Sequence, residues 1–88
     1  MDADLDALAA GRHGDPFAVL GRHGDIVRSF QPGARGVALL SRADGREIAR
    51  LEQVHPAGVF AGRVPDQRPY VLRIDWPGAA QETEDPYG

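Results

Sequence analysis

Tyr70-Val71-Leu72-Arg73-Ile74-Asp75-Trp76 is the stretch that decides the fold. Tyr70, Leu72, Ile74 and Trp76 alternate with Val71, Arg73 and Asp75, so one face is wholly apolar and the other carries both charges. A period of two is the signature of a half-buried β-strand. The stretch is bounded by turn chemistry on both sides: Pro65-Asp66-Gln67-Arg68-Pro69 before it and Pro77-Gly78 after it.

The same alternation runs back through most of the chain. Ile26, Arg28 and Phe30 alternate with Val27 and Ser29 until Gln31-Pro32-Gly33 ends the run. Residues 36–42 and 47–54 form two further strands around Asp44-Gly45, a two-residue hairpin signal of the type I′ kind. His55-Pro56-Ala57-Gly58 turns the chain into 59–64, and 80–84 reads as a last, acidic edge strand. Six short strands at near-regular spacing predict an all-β antiparallel sandwich, with a small barrel as the runner-up.

The first 24 residues read differently. Leu5, Leu8 and Ala9 share one face at helical spacing, Asp2 or Asp4 supplies a cap, and Gly11 supplies the stop. A short N-terminal helix is expected there, followed by a turn at Asp15-Pro16-Phe17 and an apolar cluster of Phe17, Val19 and Leu20. A helix this short needs a surface to dock on. The reading therefore packs 1–24 on a sandwich of 25–88, the two together forming one domain.

Composition narrows the function classes. The chain has 88 residues, 42% of them hydrophobic and 26% charged, with a net charge of −3 and no cysteine. Disulfide frameworks, thiolate metal sites and cysteine nucleophiles are excluded. The acidic balance argues against a nucleic-acid binder. No apolar run approaches the ~20 residues of a membrane span, and the acidic N-terminus is unlike a signal peptide, so the expectation is a cytoplasmic domain with neither nucleic-acid nor membrane partners. All ten basic residues are arginine, while lysine and asparagine do not occur. With so much Ala, Gly, Asp and Arg, this reflects a GC-rich genome rather than selection for anion binding.

No catalytic constellation emerges. The repeat Gly11-Arg12-His13-Gly14-Asp15 and Gly21-Arg22-His23-Gly24-Asp25 places two His and two Asp close in sequence. Gly-flanked turns account for it better than a metal site does, and no cofactor is expected. Glu82, Glu84 and Asp85 read as a solvated charge run, not as a paired-carboxylate acid and base. Ser29 and Ser41 lie outside any nucleophile elbow. Trp76 is the one residue with two open readings. An indole can stack on a sugar ring, with Tyr70, Tyr87 and Phe60 extending the platform, or it can join Tyr70, Leu72 and Ile74 in the core.

Ordered motifs then carry a resemblance. Gly11-Arg12-His13-Gly14-Asp15-Pro16-Phe17, Val19-Leu20-Gly21-Arg22-His23 and Phe30-Gln31-Pro32-Gly33-Ala34 resemble the start of bacterial glycogen branching enzymes. Gly58-Val59-Phe60-Ala61-Gly62, Tyr70-Val71-Leu72-Arg73 and Asp85-Pro86-Tyr87 continue it in order to the end of the chain. The resemblance implies the first N-terminal module of such an enzyme. It implies an immunoglobulin-like β-sandwich similar to carbohydrate-binding module family 48, without catalytic residues of its own. A second module and a catalytic barrel would follow in the same parent chain, with the linker beginning after Asp-Pro-Tyr. Well-characterised sugar sites of such modules pair two Trp with a Lys and an Asn, whereas this chain has one Trp and neither of the others. The resemblance thus implies a weak α-glucan or glycogen contact at Trp76 and Tyr70. It also implies interdomain docking through Phe17, Leu20, Asp85, Pro86 and Tyr87. The alternative is a spacer that binds no sugar.

Overall fold

The computed structural model describes residues 20–85. Seven strands follow one another: β1 (Gly21–His23), β2 (Ile26–Phe30), β3 (Gly36–Ser41), β4 (Glu47–His55), β5 (Val59–Arg63), β6 (Tyr70–Trp76) and β7 (Ala79–Thr83). Their order in space is β1-β2-β5-β4-β3-β6-β7, and every pairing is antiparallel. The expected all-β antiparallel sandwich therefore forms. The short helix expected near the N-terminus lies outside the described residues.

β4 is what makes two layers from one continuous sheet. Its first half pairs with β3, ending at Val37 opposite Leu51, and its second half pairs with β5, beginning at Glu52 opposite Ala61. The strand carries a bulge in each half. Ile48 is the extra residue between Leu39–Ala49 and Leu40–Glu47, and Val54 is the extra residue between Gln53–Phe60 and His55–Val59. Bulges bend a strand and raise its twist, which is how a strand passes from one layer to another. The first bulge lets Ile48 and Ala49 both pack on the core, and the second leaves Val54 46% exposed.

The core draws on both layers. Val27, Phe60 and Val64 meet Val37, Leu39, Leu72 and Ile74, with Leu51 at the crossing point. These are the inward sets that alternation predicts for β2, β3 and β6. β3 is buried on both faces. On its outer face, Gly36, Ala38 and Leu40 lie between charged neighbours of β4 and β6. Arg50 pairs with Glu47 and Asp75 at 3.6 and 3.4 Å, and Arg73 with Glu47 and Asp75 at 3.3 and 3.7 Å. Such exposed pairs contribute little energy one by one. Their alkyl stems flank the small residues beneath.

Two local readings need correction. The Asp44-Gly45 hairpin is not of type I′, which requires positive φ at both central residues. Gly45 has φ 75°, but no non-glycine residue among those described has positive φ. The loop instead spans four residues, 42–45. Gly45 N–H donates to Ser41 O at 2.8 Å, and Arg46 N–H donates to the Asp44 carboxylate at 3.0 Å. The aspartate serves as an acceptor for its own turn, which a left-handed backbone does not require. The second correction is β1. Strand structure begins at Gly21 rather than near Asp25, because Gly21-Arg22-His23 pairs with Ile26–Arg28 across a Gly24-Asp25 turn.

Candidate functional site

β6 carries both aromatic candidates, and the structure separates them. Tyr70 and Trp76 are on the same inward face, at opposite ends of the strand and with the buried Leu72 and Ile74 between them. Six residues at ~3.3 Å each place the two about 20 Å apart. A single sugar ring cannot touch both. Both rings are half-buried and pack against the core.

At the Trp76 end the register of the β6–β7 hairpin sets the surroundings. Trp76 lies opposite Ala79, Ile74 opposite Gln81, and Leu72 opposite Thr83. Directly opposed residues share a face, so Ala79, Gln81 and Thr83 continue the inward face of β6. β7 is the edge strand, and Ala79 and Gln81 remain exposed there. The result is an open shelf beside the core with Trp76 at its inner margin. The indole Nε1–H donates to Gln81 Oε1 at 3.0 Å. The tight connection follows from Pro77-Gly78, in which Gly78 takes φ 80°, the order and sign of a type II turn.

At the Tyr70 end three elements converge. The Tyr70 hydroxyl donates to the Asp85 carboxylate. The Arg22 guanidinium lies 5.9 Å from the Tyr70 ring centroid, within cation–π range. Arg22 is itself held by donation to the carbonyls of Gly24, Val64 and Asp66 at 3.0, 2.8 and 2.7 Å. Arg42 forms an ion pair with Glu84 beside it. A cleft of about 300 Å³ opens between Tyr70, Arg42, Gln67 and Asp85. Burial, then the hydrogen bond to Asp85, raise the Tyr70 phenol above its ordinary value. The Arg42 hydrogen bond lowers the Glu84 carboxyl, and the backbone N–H of Arg68 lowers that of Asp66. Both carboxyls are thereby tuned away from general-acid use.

The raised Tyr70 value has a testable consequence. A phenol whose folded pKa exceeds its unfolded value near 10 contributes stability that is complete below that value and is lost as pH rises beyond it. Tyr70→Phe is expected to lower stability by about 1 kcal/mol at neutral pH, the usual net worth of one hydrogen bond. The gap between wild type and variant should close as the pH rises above about 10. Urea midpoints across an alkaline series check both.

Among the docking candidates, Leu20 is 3% exposed and belongs to the buried set, and Asp85 is the partner of Tyr70. Phe17, Pro86 and Tyr87 lie outside the described residues. Of the repeated His and Asp, His23 contacts the Leu20 carbonyl at 2.9 Å, while Asp25 faces Arg63 and accepts from Gln67. Among the described residues no three His, Asp or Glu side chains come together as metal ligands, and no helix is long and apolar enough to cross a membrane. The sequence reading missed Gln81. Its value depends on the residue across the hairpin, and the signal was available in the Pro77-Gly78 turn, which sets that register.

Residues 1–87 match the family described as alpha-1,4-glucan branching enzyme GlgB, N-terminal domain. The chain belongs to this family. Over 96% of its length it is 51% identical to the 1,4-alpha-glucan branching enzyme GlgB of Paraburkholderia xenovorans, and 47% identical to that of Pseudomonas syringae pv. syringae. It is 49% identical to GlgB 2 of Rhizobium johnstonii over 94% of its length. The chain spans 12% of each of these proteins. In this GlgB N-terminal domain, the motifs Phe30-Gln31-Pro32-Gly33 and Gly58-Val59-Phe60 meet in space. Gln31 N–H donates to Gly58 O at 2.7 Å, and Phe30 pairs with Val59.

Proposed function

We propose that this chain is the non-catalytic N-terminal module of a 1,4-α-glucan branching enzyme and works in glycogen biosynthesis in the cytoplasm. Residues 1–24 and 25–88 form one domain in this reading. It helps position α-glucan chains for a catalytic barrel later in the parent polypeptide. The observation that carries the glucan contact is the Trp76 shelf, where a partly buried indole borders an uncharged, open strip of the sheet. The apolar C–H face of a pyranose matches such a surface. A weak contact suffices, because tethering to the barrel gives an effective concentration of the millimolar order. Tyr70 offers a separate, second contact at the other end of β6. The Arg42–Glu84 and Arg68–Asp66 pairs support a non-catalytic role, since they hold those acids ionised.

A second reading rests on the Tyr70–Asp85 hydrogen bond. It ties the segment leading to Asp85-Pro86-Tyr87 to the sandwich and suits a spacer that orients the next module, with Phe17, Leu20, Asp85, Pro86 and Tyr87 as the docking set. Native gels cast with and without glycogen separate the two readings. Retardation by glycogen is expected for a glucan-positioning module, and equal mobility in both gels would leave the spacer.

A further inference from the structure

We infer that Gln81 supplies the polar half of a glucosyl subsite on the β6–β7 shelf, held in place by Trp76. The inference rests on the glucan-contact reading above and goes further by naming the residue that reads a sugar hydroxyl. An indole N–H lies in the plane of its ring, so a good N–H···O bond places the acceptor at the ring edge. Gln81 Oε1, 3.0 Å from Nε1, is therefore at the margin of the indole and not over its face. The amide lengthens the platform at the ring edge and does not itself cover the aromatic face. The bond also fixes which way the amide points. Its oxygen is turned to the indole, so the amide nitrogen is directed away from it. That nitrogen carries two donors, which have no partner among the described residues.

A pyranose laid on the Trp76 face would present an equatorial hydroxyl at the ring margin, where the Gln81 N–H groups are available. Thr83, two residues along on the same face, adds a hydroxyl at the spacing of the next side chain on a strand, about 7 Å away. Nothing on this strip is charged: Trp76, Ala79, Gln81 and Thr83 are neutral, whereas Arg73, Asp75 and Glu82 belong to the opposite face. The ligand fitting it is a neutral polyol, here a glucosyl unit of an α-1,4 chain. The site differs from one built on two Trp, a Lys and an Asn. A glutamine whose orientation is set by the only tryptophan takes over the hydrogen-bonding part.

The test uses two substitutions with opposite consequences for the Trp76 bond. Gln81→Glu keeps an acceptor for Nε1–H and loses the free donors, while Gln81→Leu loses both. Isotope-labelled 88-residue protein is titrated with maltoheptaose, following the Trp76 indole N–H resonance. Saturable movement of that resonance is expected for the wild type. Gln81→Glu should weaken the apparent Kd about fivefold, the worth of one neutral hydrogen bond. Its Nε1–H resonance without ligand should stay in the hydrogen-bonded region. Gln81→Leu should weaken binding at least as much and shift that resonance upfield. Wild-type affinity in Gln81→Glu overturns the role of Gln81 while leaving the Trp76 contact standing. No movement in the wild type at millimolar maltoheptaose overturns both. Superimposable backbone spectra away from β7 exclude misfolding as the cause.

Discussion

Gly58→Ala is expected to destabilise the domain by about 2–5 kcal/mol, the sum of left-handed backbone strain and overpacking. Gly58 has φ 113°, a conformation that L side chains rarely adopt. A Cβ there would lie 2.6 Å from Pro32 Cα and 2.8 Å from Gln31 O and Pro32 N. All three are backbone atoms. They cannot step aside as a side-chain tip does, and Gln31 N–H is already bonded to Gly58 O. Gly78→Ala is the control. Gly78 also has positive φ, 80°, but a Cβ would meet nothing within 4 Å. Only the conformational part, about 1 kcal/mol, should be lost there. Urea unfolding of both variants measures the difference. Equal losses would show that the contact with the Gln31–Pro32 backbone is unimportant.

Phe60→Ala is expected to cost about 3–5 kcal/mol, the usual range for truncating a buried aromatic. The side chain is 1% exposed and is the largest of the fully buried set. Stabilities of about 5–15 kcal/mol are typical of whole domains, and a chain this short belongs at the lower end. The variant should therefore hold a detectable unfolded population without denaturant. Near-ultraviolet circular dichroism and a lowered urea midpoint check this. Trp76→Ala, at a half-buried position, should lose less than Phe60→Ala. A larger loss at Trp76 would make its indole a core residue first.

The sequence made the architecture legible where one face of a strand is buried and the other is wet. β6 is the clearest case, because Leu72 and Ile74 point inward while Arg73 and Asp75 join an ion-pair lattice on the outside. β2 follows the same rule with Val27 and Ser29 inside. β1 escaped notice because Gly21-Arg22-His23 has no apolar alternation. It is a strand because its backbone pairs with β2, and Arg22 anchors it by donating to carbonyls 42 and 44 residues away, in the β5–β6 connection. The Asp44-Gly45 turn was placed correctly but typed wrongly, since the side-chain acceptor of Asp44 offers the loop a second solution that dipeptide preferences do not distinguish. For the site, alternation put Tyr70 and Trp76 on one face, but nothing in a periodicity says how far apart two residues of one stripe become useful. Asp85 beside Tyr70, and Gln81 beside Trp76, are cross-chain neighbours created by register. They emerge only once each strand has a partner.

β4 has a consequence beyond geometry. One uninterrupted strand donates its first half to one layer and its second half to the other, so neither layer has a complete set of pairings without it. The layers cannot melt one after the other while that strand stays intact. Nor can either be excised as a smaller folding unit. An insertion in the exposed 42–45 loop would lengthen a connection and leave every ladder whole. An insertion between Leu51 and Glu52 would put the two halves out of phase and turn one layer's inward side chains to solvent. The seam of the sandwich is thus also its least editable point, and the exposed 42–45 loop is a far more tolerant one.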